Sequence, residues 1–161
     1  MASHPSASAA PTDPAVPATR LAAGARLVRL FSMGATISYA LVGSATSTGS
    51  ASVVQVLGLV ALGAATHIHA AIFNDVIDYP IDRTEPRRAD SPLVRGDVSR
   101  SAAGGVSLGS LIVSALLMFV LGAGGEVWLA WALAIGLVDV YTLMGKRVQW
   151  AVISDLVQGV G

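Results

Sequence analysis

The sequence predicts an all-α protein: a polytopic transmembrane helical bundle of about four spans plus the start of a fifth. Three observations carry that expectation. The 161 residues are 53% hydrophobic and 12% charged, and the mean hydropathy is +0.66, outside the usual range of soluble domains. Four apolar stretches, 27–46, 53–74, 102–121 and 127–143, each approach the roughly 20 residues a helix needs to cross a bilayer core. The ten basic residues are confined to three segments. Arg20, Arg26 and Arg29 lie at the start of the first stretch, Arg83, Arg87, Arg88, Arg95 and Arg100 between the second and third, and Lys146 and Arg147 after the fourth.

Residues 1–25 are Ala-, Ser- and Pro-rich; with almost no large apolar side chain they cannot bury enough surface to offset ordering entropy, and a disordered tail is expected. Pro5, Pro11, Asp13, Pro14 and Pro17 interrupt any export-type apolar run. Residues 26–161 form the expected bundle. Because the short connections 47–52 and 122–126 carry no Lys or Arg, the positive-inside rule predicts a multi-pass protein of the cell membrane. Its N-terminus, its long second loop and its Lys146 loop would face the cytoplasm. Gly105 and Gly109 form a small-xxx-small pair that predicts close helix packing. A fifth span begins near Trp150, and the residues to Gly161 reach about half a bilayer at ~1.5 Å per helical residue. The expectation is therefore the front portion of a larger, C-terminally incomplete bundle. The absence of Cys removes disulfides, thiolate metal sites and a cysteine nucleophile, and a net charge of zero gives no reason to expect a nucleic-acid partner.

The second span runs into Asn74, Asp75, Asp78 and Asp82. At about 100° per residue the three carboxylates fall within roughly 60° of one helix face, where they repel one another. A divalent cation is the simplest compensation. Mg²⁺ takes oxygen ligands and is commonly held by one or two carboxylates plus substrate phosphates, so the cluster points to a metal and a diphosphate partner. Arg83, Arg87, Arg88 and Arg95, with Lys146 and Arg147 on the same predicted side, supply charge for the remaining phosphate oxygens. The alternative is that the three Asp residues open a solvated loop and pair with its arginines.

Asn-Asp-x-x-Asp-x-x-x-Asp at the end of a span, followed by Ser91-Pro92-Leu93-Val94-Arg95-Gly96, resembles the UbiA family of intramembrane prenyltransferases. Arg26-Leu27-Val28-Arg29-Leu30 and the segment from Tyr141 to Arg147 look like that family too. The resemblance implies a helical bundle around a central cavity with two Asp-rich motifs. These would bind Mg²⁺ and an isoprenyl diphosphate, whose prenyl group is transferred to an acceptor, an aromatic one being expected. It assigns Asp75, Asp78 and Asp82 as catalytic metal ligands, and Asn74, Arg83, Arg88, Tyr141, Lys146 and Arg147 to the diphosphate. There are three departures. Four residues separate Tyr141 from Lys146, where the family leaves three; Ser91 stands where an Arg commonly precedes Pro-Leu; and no second Asp-rich motif occurs within these residues, Asp155 being isolated.

His67 shares the helix face of the Asp motif, whereas His69 points elsewhere, and Asp139 lies inside the fourth span without an evident partner. Two other classes stand beside the enzyme: a non-catalytic truncated membrane subunit that binds lipid or a partner, and a phospholipid head-group transferase. The second would show Asp-Gly and Ala-Arg within its motif, which the 75–82 segment lacks.

Overall fold

The computed structural model of the chain describes residues 20–48 and 51–145. Every regular element among them is helical: α1 Arg20–Leu27, α2 Leu30–Thr48, α3 Val53–Asp82, α4 Arg100–Val120 and α5 Gly125–Val140. A short 3₁₀ turn, Pro86–Arg88, lies in the α3–α4 loop, and a π-turn, Tyr141–Gly145, continues α5. Three helices, Val53–Asp82, Arg100–Val120 and Gly125–Met144, are long and apolar enough to cross a membrane. α2 occupies the place of the first expected span with 19 residues, but seven of them are Ser or Thr, which makes it more polar than the others. α1 takes in residues 20–25, assigned by sequence to the tail, because Ala23 and Leu27, one turn apart, are buried. The rest of the expected tail, Lys146, Arg147 and the incipient fifth span lie outside the described residues.

α3 is the central element and packs against α2, α4 and α5. It starts at a capping box: the Ser52 hydroxyl accepts from the Gln55 amide, and the Gln55 side chain accepts from the Ser52 amide. Its 30 residues amount to about 45 Å, some 15 Å more than a bilayer core. The apolar span read from the sequence closes at Asn74, and the helix runs on through the Asp motif, as its one-face spacing requires, two further turns to Asp82. The carboxylates of those turns are buried. Pro80 sits inside these last turns and cannot donate to the carbonyl of Val76. Arg100 Nε donates to that carbonyl at 3.0 Å, and its guanidinium lies 5.9 Å from the centre of the Tyr79 ring. The break in the helix ladder is thereby filled by the first residue of α4.

A core of Leu27, Ile72, Leu93 and Ala103, bordered by Val28, Ile68, Val76, Tyr79 and Val98, joins α1, α3, the long loop and α4. Pro92 and Leu93 of the Ser-Pro-Leu-Val-Arg-Gly segment are buried, Leu93 in that core, so the segment anchors the loop. Gly96, at φ 78°, turns the chain back, and the Val98 amide donates to the Pro92 carbonyl. α4 packs on α3 through Ala103, Ser107, Ser114 and Met118, while large apolar side chains such as Ile112, Leu116, Phe119, Leu129 and Leu133 are exposed, as a lipid-facing surface requires.

The close-packing expectation for Gly105 and Gly109 is overturned. Among the described residues a Cβ at either would meet nothing within 4 Å, because both lie off the α4 face that carries the contact. Close approach occurs instead at Gly63, where a Cβ would stand 3.1 Å from the Ile37 Cα of α2. Gly63→Leu should therefore loosen the α2–α3 contact and cost about 1–3 kcal/mol. Gly109→Leu should leave stability in detergent unchanged, with thermal unfolding of both variants as the check.

Candidate functional site

Three carboxylates emerge from one side of α3 at Asp75, Asp78 and Asp82, with relative exposures of 6%, 2% and 7%. Burial of this order is unfavourable for ionised groups unless each is paired or hydrogen-bonded. Arg29 meets Asp75, Nη2 to Oδ1, at 2.5 Å, and Arg88 Nε approaches Asp82 Oδ1 at 3.4 Å. Asp78 lies between them, about one turn from each, and is itself engaged. An arginine thus flanks each end of the row. Arg95 pairs with Asp97 and Arg87 with Glu85, away from the row, and Arg83 is exposed at the C-cap of α3.

The sequence reading does not single out Arg29 as a site residue. It stands at the break between α1 and α2 with φ 49°, the only non-glycine residue at positive φ among the described residues. A bulky residue in the left-handed region costs of order 1–3 kcal/mol and persists where the surroundings dictate it. The Asp75 ion pair and the amides of Ser32 and Met33, which donate to the Arg29 carbonyl, are those surroundings. The available signal was the positive-inside pattern, which puts Arg29 on the same side as the Asp motif.

Beside the carboxylate row lies a cavity of about 270 Å³, lined by Arg29, Ser32, His67, Ala70, Ala71, Asn74, Val138, Tyr141 and Thr142. Asn74 is brought to it by α3, Arg29 and Ser32 by the start of α2, and Tyr141 by the π-turn. His67, as its helix position implies, is on the same wall. Ser32 Oγ is 3.3 Å from its Nε2 and Thr36 Oγ1 3.1 Å from its Nδ1, so the ring ties α2 to α3 while facing the cavity. His69 points away, into the contact with α4 and α5. A second cavity, about 360 Å³ and lined by residues such as Gly43, Leu59, Met118 and Val127, lies at the other end of the bundle without a charged side chain.

The sequence of the UbiA prenyltransferase family matches residues 35–159, most of the chain and all of the carboxylate row. The chain belongs to the UbiA prenyltransferase family. UbiA proteins are membrane prenyltransferases, which agrees with the apolar spans and the site at one end of them. Searches of curated proteins and of solved structures returned no match. Of the residues that resemblance to the UbiA family assigned, Asn74 and Tyr141 line one cavity, Asp75, Asp78 and Asp82 form the adjacent row, Arg88 reaches the end of that row, and Arg83 is turned to solvent. Lys146 and Arg147 lie outside the described residues.

No three His, Cys, Asp or Glu side chains among the described residues come together around one point. Helix geometry accounts for this, since seven residues from Asp75 to Asp82 span about 10 Å along the axis. Adjacent pairs in the row, Asp75 with Asp78 or Asp78 with Asp82, have the all-oxygen character and the number of ligands that Mg²⁺ takes when phosphate oxygens and water complete its shell.

Removing the Arg29 charge would leave Asp75 buried without its partner. Arg29→Met should destabilise the protein by about 1–3 kcal/mol, less than the roughly 3–5 of a fully buried pair, because the Arg29 side chain is 39% exposed. Asp75→Asn in the same background should recover most of the loss; equal melting temperatures for Arg29→Met and the parent would show that the ion pair carries no stability.

Proposed function

We propose that this protein is a Mg²⁺-dependent prenyltransferase that binds an isoprenyl diphosphate at the α3 carboxylate row and transfers its prenyl group to an acceptor, an aromatic one fitting best. The observation that carries this reading is the burial of three carboxylates on one helix face, flanked by Arg29 and Arg88 and beside a cavity, in a chain of the UbiA family.

Asp75, Asp78 and Asp82 would hold the metal, and Mg²⁺, when bound, supplies neutralisation of the charge that develops on the departing diphosphate. Arg29 and Arg88, paired with Asp75 and Asp82 at the two ends of the row, would bind phosphate oxygens. Arg83, with Lys146 and Arg147, which the positive-inside rule assigns to the same side, would add positive charge. Asn74 and the Tyr141 hydroxyl orient the diphosphate from the cavity wall. The allylic carbon–oxygen bond breaks with its electron pair leaving on diphosphate, a new carbon–carbon bond forms to the acceptor ring, and the ring loses a proton. The apolar α4 and α5 surfaces leave room for the prenyl tail toward lipid. The eight arginines among the described residues lie in α1, at the α1–α2 break, after α3, in the α3–α4 loop or at the start of α4, the end of the bundle that carries the row. With the positive-inside rule this supports a cell-membrane protein whose Asp-rich end faces the cytoplasm.

The π-turn bears on the one-residue difference in spacing between Tyr141 and Lys146. An i→i+5 turn takes up one residue more than an α-turn, and the π-turn Tyr141–Gly145, directly before Lys146 in sequence, would take up such an extra residue.

Calorimetric titration of farnesyl diphosphate into the detergent-solubilised full chain tests the assignment. Binding should require Mg²⁺, and Asp78→Asn should weaken it at least about tenfold, the lower bound set by losing groups that merely support a metal ligand. Asp78→Ala should abolish Mg²⁺-dependent turnover. Binding that ignores both Mg²⁺ and Asp78 would sink the assignment.

A further inference from the structure

His69 lies midway along α3 and is 4% exposed. Its Nδ1 is 3.0 Å from Ser107 Oγ and 3.2 Å from the Ser107 carbonyl of α4, and the Ser107 hydroxyl also reaches the His69 carbonyl at 3.2 Å. Its Nε2 faces Asp139 Oδ1 of α5 at 3.3 Å. That approach lacks the alignment of a hydrogen bond, and neither atom has another hydrogen-bond partner among the described residues. Two buried polar atoms aimed at each other are satisfied together by one proton between them. In a membrane-spanning segment this is the expected fate of a histidine and a carboxylate.

Among the described residues α5 has little else to hold it, Ile135 being its one buried residue there. Yet α5 delivers Tyr141 and Thr142 to the cavity two and three residues beyond Asp139, through a π-turn. A helix this sparsely packed can slide or rotate against α3 unless a directional contact fixes its register.

We propose that His69 and Asp139 are a positioning pair: the contact between α3 and α5 sets the rotation of α5 and thereby holds Tyr141 opposite Asn74 for the diphosphate. Neither residue touches the cavity; they act through Tyr141. The part concerning the diphosphate rests on the prenyltransferase reading, whereas the fixing of α5 does not.

The chain has no cysteine, so spin labels at Ile81→Cys on α3 and Met144→Cys on the π-turn, both on exposed side chains, report the register directly by pulsed electron resonance. The expected result is a narrow distance distribution in the labelled parent. Asp139→Leu and His69→Leu should broaden it, and Asp139→Asn, which can still donate to Nε2, should keep it narrow. In unlabelled protein with farnesyl diphosphate, the Leu variants should raise KM by about tenfold or more with a smaller change in kcat, and Asp139→Asn should stay near the parent. Unchanged distances in the Leu variants would overturn the proposal. Broadening with unchanged KM would overturn the positioning role and leave only a structural contact. A parent that neither binds nor turns over the diphosphate would overturn the prenyltransferase reading and the diphosphate role with it, and the distances would then decide the fixing of α5 alone.

Discussion

Everything at the Asp-rich end of this bundle follows from keeping three carboxylates buried on one helix. Ionised Asp residues at 2–7% exposure cannot stand without compensation. The chain supplies it from both directions, Arg29 reaching in from the α1–α2 break and Arg88 from the long loop. Those two demands shape the backbone around them. Arg29 adopts a left-handed conformation that only a fixed contact sustains, and the loop carrying Arg88 is tied down by Pro92 and Leu93. The Ser-Pro-Leu-Val-Arg-Gly segment is therefore an anchor for the charge partners of the row.

Pro80 adds a second constraint within the same two turns. Its missing amide leaves the Val76 carbonyl without an intrahelical donor, and Arg100, which positive-inside topology alone would explain, donates to it. The arginines of this end thus divide into two kinds. Arg29 and Arg88 neutralise carboxylates of the row; Arg100 completes a backbone, and Arg87 and Arg95 pair locally.

The helices were legible because hydropathy in a bilayer leaves little choice of structure, and the Asp motif was legible because its spacing returns to one helix face. Three features were not. The apolar span was bounded at Asn74 and the helix read on through the Asp motif, but that Asp75, Asp78 and Asp82 would be buried against partners rather than solvated does not follow from spacing. Close packing was expected at Gly105 and Gly109, but α4 turns another face to α3, and the glycines that meet a neighbour are on α3 itself: Gly58 against the Leu121 side chain and Gly63 against Ile37 of α2. The partner of Asp139 is 70 positions away on α3 (His69). No local pattern encodes such a pair; it appears only when the helices are assembled.

Polarity inside this bundle is concentrated where helices would otherwise slip. α2 is joined to α3 by the hydroxyls of Ser32 and Thr36 on His67, α4 by Ser107 on His69, and α5 by Asp139 on the same ring. The two histidines are two residues apart, so they point to different sides of α3 and address different neighbours. Apolar contact between helices in lipid is weakly directional, because the alternative neighbour, an acyl chain, is equally apolar. Hydrogen-bonding groups distinguish one rotation from another. The histidines therefore fix how the surrounding helices are turned, and the face that each helix turns inward decides which side chains border the carboxylate row.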